Sequence, residues 1–341
     1  MLTEKQLKQI KEELDNCKNP LFFYHDDPDG LASFLLFYRY LREGHGVPVK
    51  STPRMDEKFL RSVEKHEPDK IFVLDIATIE DSFLNGVNVP IVWVDHHEPA
   101  DPRGMKYFNP RVKDPGILYP ASQICYDVIK EDFWIAMCGI VGDWVISGYN
   151  KEFSRQYPDL LPSGIKDPAK VLFETKIGTL AKLIGFILKG NNANVNKSID
   201  MLCKVKTPYE ILNQETEEGK FLWDRFQYLN KEYDEMLRHA LKNKKGNLLL
   251  YIYPSSKMSY SGMLANELLY NFPDSYIIIG RSKDNLVRCS FRSPKGKNMR
   301  EIVQKALKGL DGFAGGHEQA CGGTINADDF SKFVENVKDM I

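Results

Sequence analysis

The stretch at residues 91–98, IVWVDHHE, holds the side chains with the clearest potential for chemistry. A short run of β-branched and aromatic residues ends in Asp95, His96 and His97, which predicts a buried parallel strand with a polar loop at its carboxyl end. Open α/β sheets place their ligand sites outside such strand ends. A carboxylate and two imidazoles there indicate a metal or phosphate site, and a capping aspartate with two surface histidines is the simpler alternative.

Three other apolar runs carry acidic or imidazole side chains in the same way. These residues are His25, Asp26, Asp27 and Asp29 in FFYHDDPDG, Asp75 in KIFVLDIA, and Asp143 in AMCGIVGD. Carboxylates gathered in one crevice repel one another strongly at low dielectric, so such a cluster requires cations. Because the pattern is repeated, the capping alternative is disfavoured, and the sequence predicts a metal site.

Composition limits the classes of function. The 341 residues are enough for two domains, and the net charge of −1 provides no general positive field for nucleic acid. A polyanion would have to be held locally, by metal ions and a few Lys or Arg side chains. The six cysteines form no CxxC motif, which indicates reduced thiols and a cytoplasmic protein. The N-terminus is not typical of a signal peptide, and no apolar run reaches about 18 residues, so we expect no membrane span.

The spacing of apolar residues predicts the elements that position these side chains. A capping box begins a first helix that ends near Asp15, and a buried helix over 31–41 has its amino end at Gly30. Strands and helices then alternate, which predicts a doubly wound parallel sheet. We also expect a loop over 148–167 and one long helix over 168–189.

From residue 191 the composition becomes more charged. Apolar residues recur at helical spacing and predict a long connecting helix over about 215–243, and they are Leu222, Phe226, Leu229, Tyr233 and Leu237. Strands and helices that follow predict a second, smaller α/β domain. The predicted parts are a parallel-sheet domain, a helical connector and this smaller domain, at 1–190, 191–244 and 245–341.

The stretch GFAGGHEQACGG at residues 312–323 is a second candidate for ligand contact. Gly315 and Gly316 allow the backbone to approach a ligand closely, and His317 follows them directly. A glycine loop with a surface histidine is the alternative for this stretch alone.

These motifs resemble those of a known family. His25-x-Asp27-x-Asp29-Gly30, Asp75, Asp95-His96-His97 and Asp143 occur in the order of the four motifs of the DHH phosphoesterase superfamily. Ser290–Ser293 (SFRS) and the Gly315-Gly316-His317 stretch, with Ala320 and Gly322-Gly323, resemble the DHH-associated domain of its RecJ and nanoRNase branches. The resemblance covers about residues 20–150 and 245–330.

The resemblance implies a site for two metal ions, usually manganese, with magnesium as the alternative. It implies that His25, Asp27 and Asp75 hold one ion, and that the other is held by Asp29, Asp75, His96 and Asp143. It further implies that Asp75 bridges the ions, that Asp95 orients the loop, and that His97 donates to the scissile phosphate. One departure is that His25 lies two residues before Asp27, whereas several relatives place this histidine four before, which leaves its role as a ligand open.

The implied activity is that of an exonuclease on single-stranded RNA or DNA, or on short oligonucleotides. Phosphate contacts are expected from His97, Arg292, Ser293, Gly315, Gly316 and His317. A phosphatase or phosphodiesterase acting on small nucleotides is one alternative, and a replication scaffold like Cdc45 is another. The expected partner is nucleic acid and not a membrane, and a homodimer or a replication or repair protein remains open.

Overall fold

The computed structural model describes residues 1–50 and 54–341 of the chain. Two compact units divide it, Met1–Phe226 and Gln227–Ile341. The three-part division at residues 190 and 244 remains a prediction. Among the described residues, the helices are either too short or too polar to cross a membrane.

A five-stranded parallel sheet forms the centre of the first unit. Its strands, in the order β2-β1-β4-β6-β7, are β1 (Pro20–His25), β2 (His45–Val49), β4 (Lys70–Leu74), β6 (Ile91–Val94) and β7 (Lys106–Phe108). A separate parallel pair is formed by β3 (Arg54–Met55) and β5 (Thr78–Ile79). The inner strands β1, β4 and β6 are buried almost throughout, as the continuous apolar runs predict for strands that are covered on both faces.

Helices cover both faces of this sheet. The first unit contains α1 (Glu4–Asp15), α2 (Pro28–Leu41), α3 (Leu60–His66), α4 (Asp81–Leu84), α5 (Ala121–Ile129), α6 (Phe133–Gly142), α7 (Tyr149–Gln156), α8 (Pro168–Glu174), α9 (Lys176–Ile187), α10 (Asn192–Leu202) and α11 (Pro208–Leu212). Short 3₁₀ helices lie at Glu57–Phe59 and Pro110–Val112. Helices α2, α5, α6 and α9 pack together. The opposite face buries the side chains around Phe59, Ile76 and Phe83.

The start of α2 differs from the prediction. The helix begins at Pro28, earlier than the predicted residue 31, because Asp27 caps it and accepts a hydrogen bond from the Gly30 N–H at 2.9 Å. Proline suits this first position because its missing N–H would have no partner there anyway.

Two predictions for the segment 148–189 were wrong. Helix α7 lies inside the predicted loop, and the predicted single helix is divided into α8 and α9 at Thr175. Thr175 is extended and its hydroxyl caps α9 by accepting from the Gly178 N–H. A Cβ at Gly178 would collide with the carbonyls at the end of α8, so the two helices meet more closely than a continuous helix allows.

The 25-residue helix α12 (Glu217–Leu241) ends the first unit and begins the second. Its buried residues recur at intervals of three and four, and they are Leu222, Phe226, Leu229, Tyr233, Met236 and Ala240. The predicted stripe was therefore correct except at its end, where Met236 is buried and Leu237 is only half-buried. The alternating intervals keep the stripe on one side of the helix.

The second unit contains a six-stranded mixed sheet in the order β12-β13-β11-β10-β9-β8. The strands are β8 (Lys244–Lys245), β9 (Leu248–Pro254), β10 (Tyr276–Lys283), β11 (Leu286–Arg292), β12 (Gly312–Gly316) and β13 (Ala320–Asn326). Helices α13 (Ser261–Asn271), α14 (Met299–Ala306) and α15 (Ala327–Lys338) complete it. The glycine-rich stretch forms the hairpin β12–β13 and is not a loop. The predicted class, an α/β protein with an N-terminal parallel sheet and a smaller α/β domain, is confirmed.

Candidate metal centre

The register of the parallel sheet aligns three of the predicted motifs. Tyr24 pairs with Leu74, and Leu74 pairs with Val94, so each of these strands reaches the same edge of the sheet at the same level. The next residue in each chain segment is His25, Asp75 or Asp95. The sheet therefore delivers one imidazole and two carboxylates side by side at its carboxyl edge, outside which open α/β sheets bind their ligands.

The turn into α2 adds two more carboxylates. Asp27 is the cap of α2 and Asp29 lies in its first turn. Gly30 packs so closely against the backbone of His25 that a Cβ would collide with the His25 carbonyl oxygen. The glycine is required because any larger residue would push the acidic turn away from the end of β1.

Among the residues that the structure describes, three overlapping groups of possible metal ligands result. They are His25, Asp27 and Asp75; Asp29, His96 and Asp143; and Asp75, His96 and His97, and within each group the ligand atoms lie within 4.8 Å of one another. All six predicted metal ligands are therefore present in these groups. Asp75 and His96 each belong to two groups, so the groups form one continuous cluster.

Several imidazole nitrogens and carboxylate oxygens in this cluster lie close together without the geometry of a hydrogen bond. His25 Nδ1 lies 2.7 Å from Asp27 Oδ2 and 3.4 Å from Asp75 Oδ2, and His96 Nε2 lies 3.1 Å from Asp75 Oδ1. Nevertheless His25 Nδ1 and Asp75 Oδ1 are buried without a hydrogen-bond partner within the described part of the chain. Buried polar atoms that approach one another without aligning are expected where they converge on a shared cation. The residues therefore fit a metal site.

Asp29 is held by a segment that the sequence did not connect with the site. Its carboxylate accepts hydrogen bonds from the backbone N–H groups of Ala121 (2.8 Å) and Ser122 (3.0 Å), and from the Ser122 hydroxyl. These amides are at the amino end of α5, where helix N–H groups lack partners within the helix. The sequence offered one signal for this contact, namely that the predicted helix beginning at Ala121 has backbone N–H groups without partners at its amino end.

The protonation behaviour of the cluster reflects its crowding. Burial, and then the Asp75 charge, raise the pKa of Asp29 to about 7, and burial raises the pKa of Asp143 well above its ordinary value. Burial would lower the pKa values of His25 and His96, but neighbouring carboxylates outweigh it and raise both to about 11. Without a metal, the carboxylates are therefore compensated by bound protons, in agreement with the requirement for cations.

Asp95 has a different environment from the other aspartates. It is fully buried, and its Oδ1 lies 2.7 Å from His97 Nδ1 while its Oδ2 accepts from the His97 N–H at 3.1 Å. The Asn109 side chain donates to Asp95 Oδ2 at 3.2 Å and to the His97 carbonyl at 3.0 Å. Asp95 therefore orients His97 and belongs to none of the three ligand groups. Sequence analysis did not connect Asn109 with the site.

Asp75 has an unusual backbone. Its φ of 57° lies in the left-handed region, which Asp and Asn adopt more readily than most residues. Burial would raise the pKa of its carboxyl, but the neighbouring His25 and His96 imidazoles outweigh burial and lower that pKa. The Asp75 carboxylate is thus ionised and held in a conformation that few other side chains tolerate.

The second unit contains the other predicted contact residues. The Arg292 guanidinium donates to Asn266 Oδ1 at 2.5 Å and to the Phe291 carbonyl at 2.8 Å, but has no carboxylate partner in the described ranges. Burial lowers its pKa to about 10. Ser293 is also buried, and its hydroxyl donates to the Lys297 carbonyl at 2.9 Å.

Gly315, Gly316 and His317 are exposed at the end of the edge strand β12. The His317 N–H donates to the Ala320 carbonyl at 3.0 Å, and Ala320 pairs in register with Arg292. The structure therefore brings the glycine-rich hairpin beside the half-buried Arg292, while the Ser293 hydroxyl is engaged inside the unit.

Comparison with known proteins defines the class to which this fold and site belong. Residues 21–165 match the model of the DHH family, N-terminal domain, and residues 246–341 match the DHHA1 domain. The chain therefore contains a DHH family N-terminal domain and a DHHA1 domain, so the resemblance inferred from its motifs is confirmed. No curated protein matches the chain by sequence.

Solved structures share the fold at low identity. RecJ from Thermus thermophilus in complex with Mn²⁺ is 14% identical with a TM-score of 0.72, and the match covers 99% of this chain but 55% of that one. Another exonuclease RecJ bound to manganese is 15% identical with a TM-score of 0.68, covering 99% and 95%. The pGpG-specific phosphodiesterase PggH from Vibrio cholerae is 15% identical with a TM-score of 0.50, covering 94% and 98%.

Proposed function

We propose that this protein is a metal-dependent exonuclease that hydrolyses single-stranded RNA or DNA, or short oligonucleotides. The observation that carries the proposal is the cluster of three ligand groups joined by Asp75 and His96 at the carboxyl edge of a DHH-domain sheet. Oxygen and imidazole donors without thiolate suit manganese or magnesium, and the imidazoles favour manganese. The manganese-bound RecJ structures with the same fold support this choice.

The ligand assignment follows the groups. We assign His25, Asp27 and Asp75 to one ion, and Asp29, Asp75, His96 and Asp143 to the other, with Asp75 shared. When bound, a pair of ions supplies an activated water and offsets the charge that grows on the phosphoryl oxygens. The α5 amides and the Ser122 hydroxyl fix the Asp29 carboxylate before any ligand arrives.

His97 is assigned to the scissile phosphate. Asp95 accepts from its Nδ1–H, so Nε2 is the ring atom available to a phosphoryl oxygen. Burial would lower the pKa of His97, but the Asp95 hydrogen bond and charge outweigh it and raise that pKa, which favours the form with a proton on both nitrogens. His97 would then donate to the phosphate, while Asp95 acts as a positioning residue.

In the second unit we assign phosphate contact to Arg292, Gly315, Gly316 and His317. A buried guanidinium without a carboxylate partner is costly, unless an anion completes its environment. The planar fork of arginine matches phosphate bidentately, and exposed glycine amides allow close approach. Ser293 stays a sequence-based prediction for phosphate contact, because its hydroxyl donates to the Lys297 carbonyl and its N–H donates to the Gln319 carbonyl.

A hydrolase of small nucleotides is the second candidate. The pGpG-specific phosphodiesterase matches 94% of this chain and 98% of its own length, which supports a small nucleotide as the alternative substrate. A Cdc45-like scaffold without activity is less favoured, because such proteins typically lose metal ligands and all six predicted ones are present here.

Digestion of end-labelled RNA and DNA oligomers with manganese tests the proposal. We expect stepwise products from the wild type and none from Asp75→Asn, with Asp101→Asn as a control at an exposed carboxylate outside the cluster. The labelled end would also reveal polarity and sugar preference. Intact oligomers together with hydrolysis of pGpG or of a nucleoside bisphosphate would establish the second candidate. Inactivity on all substrates without manganese binding would favour the scaffold.

A further inference from the structure

A cavity of about 760 Å³ lies within the first unit, beside the edge strand β2. Its walls come from α2, β2, α3 and α10, and it contains none of the six metal ligands. Its volume is within the range of about 300–1,000 Å³ that is typical of small-molecule sites. Tyr24, the residue before His25, is part of the lining, so the cavity adjoins the metal motif without including it.

One wall of the cavity is aromatic. The Tyr24 and Phe34 rings are stacked with centroids 4.7 Å apart, and the Phe34 and Tyr38 centroids are 5.2 Å apart. Gly46 of β2 lies against the Phe34 ring, where a Cβ would collide with it. Tyr24 and Phe34 are buried, whereas Tyr38 is half-buried, so Tyr38 is the ring that a ligand can reach.

The rim of the cavity is mainly positive. The charged or titratable side chains in its lining are Lys50, Lys58, Lys65, His45, His66 and Asp200. Lys58 pairs with Asp56 at 3.1 Å, whereas Lys50 and Lys65 have no carboxylate partner in the part of the chain that the structure describes. Burial and the neighbours His45 and Lys65 lower the pKa of His66. An anion would be stabilised here.

Polar groups complete the lining on the side of α10. The Asn192 side chain accepts from Lys50 Nζ at 2.8 Å, and Asn196 and Asp200 line the same wall. Exposed amide and carboxylate groups can bind a ribose hydroxyl or an exocyclic amino group. The cavity thus combines an accessible ring, two lysines without a carboxylate partner among the described residues, and hydrogen-bonding groups.

We propose that this cavity binds a nucleotide unit. Lys50 and Lys65 contact its phosphate, Tyr38 stacks on its base, and Asp200 binds a hydroxyl or amino group of the nucleoside. The unit is either a free mononucleotide or one residue of a strand held at the metal centre. Binding of a free mononucleotide goes beyond the proposed hydrolysis and does not require it, whereas the strand-bound case rests on the proposed function.

Calorimetric titration with adenosine monophosphate in excess EDTA tests the proposal, since chelation removes any binding that depends on metal. We expect one molecule to bind per chain, and Lys65→Glu to weaken it by at least about tenfold because an attraction becomes a repulsion. Lys5→Glu, at an exposed lysine of α1, is the matched control with the same charge change. Thermal unfolding of each variant checks that it is folded.

Two further measurements locate the site and identify the ligand chemistry. Irradiation with 8-azidoadenosine monophosphate should label peptides that contain Tyr38 or residues 58–66. In the wild type, ribose 5-phosphate should bind more weakly than adenosine monophosphate, because it has no base to stack on Tyr38. In Tyr38→Ala, the two ligands should bind with equal affinity. A competitor added before irradiation distinguishes the two sources of the ligand. Protection from labelling by mononucleotide alone identifies a free ligand, and protection by a tetranucleotide at lower concentration identifies a strand.

Several results would overturn the proposal. These are no binding by the wild type in EDTA, equal affinity of Lys65→Glu and Lys5→Glu, and labelling confined to the second unit. Because none of these measurements involves hydrolysis, a failed nuclease assay leaves them valid, and their failure leaves the proposed exonuclease standing.

Discussion

The hydroxyl of Ser122 provides a sharp test of how the metal centre is positioned. Ser122→Ala removes one of three hydrogen bonds to the Asp29 carboxylate and leaves the two backbone N–H donors in place. The lost bond joins a hydroxyl to a buried charged group, a type worth about 1.5–3 kcal/mol. For a cooperative unit of about 150–250 residues, each kcal/mol corresponds to about 2–4 °C in Tm. The expected decrease in Tm is therefore roughly 3–12 °C.

The effect on manganese binding is the more specific result. Loss of an outer partner of a metal ligand typically weakens metal affinity by about 10–100-fold, and the remaining two bonds place Ser122→Ala near the lower limit. Ser122 lowers the pKa of Asp29, so its removal raises that pKa further above about 7. Protons then compete better with the metal, and the defect should be larger at pH 6 than at pH 9.

Manganese titration followed by calorimetry at several pH values is the assay. Ser198→Ala is the matched control, because Ser198 is equally buried and its hydroxyl donates to the Asn194 carbonyl, outside the site. The reasoning is refuted if Ser122→Ala binds manganese like the wild type between pH 6 and 9. It is also refuted if Ser198→Ala shows the same pH-dependent loss.

Three other measurements test the electrostatics of the protein. In the metal-free state, the folded protein holds protons on His25 (pKa about 11, ordinarily 6.5) and Asp29 (pKa about 7, ordinarily 3.8) more tightly than the unfolded chain. This stabilisation is complete at pH values below the ordinary pKa values and is lost as pH rises, so Tm measured in EDTA should fall from pH 5 to 9. The increase in Tm caused by manganese should grow over the same range. An increase in Tm that is the same at every pH would contradict this reasoning. Asp95→Asn should lower kcat by at least about tenfold through misorientation of His97 but keep the manganese-dependent Tm increase, and loss of that increase would instead make Asp95 a ligand. Arg292→Met should raise KM for oligonucleotides by about tenfold without lowering Tm, because it removes a partly desolvated cation that has no carboxylate partner in the described ranges. An unchanged KM would remove Arg292 from the substrate site.

The grouping of most residues of the candidate metal centre could be predicted because the parallel sheet is regular. The apolar runs before His25, Asp75 and Asp95 are strands in identical register, so residues that follow them must lie together. The contribution of Ser122 could not be predicted, since it depends on where α5 docks, and docking is decided by packing between distant segments. Asn109 was missed for a different reason, because the short strand β7, whose Phe108 pairs with Val94, was not predicted.

The errors in secondary structure also have physical causes. Apolar periodicity continues through Thr175, and the break is visible only when Gly178 meets the end of α8 in three dimensions. Helix α7 was missed because its neighbours are rich in proline and glycine. The glycine-rich hairpin β12–β13 lacks the alternating side chains of a strand, and its conformation is set by pairing with β11.

The bonds between Asp29 and α5 also have a consequence for the order of events in folding. They join residues that are 92 and 93 positions apart in the chain. Contacts between residues so far apart in the chain form late, because the entropy cost of closing the intervening loop comes before any favourable contact energy. During synthesis, the acidic turn at the start of the chain must therefore wait until Ser122 has left the ribosome. Manganese present at that stage would meet an incomplete set of ligands, and metal capture would follow collapse of the sheet instead of guiding it.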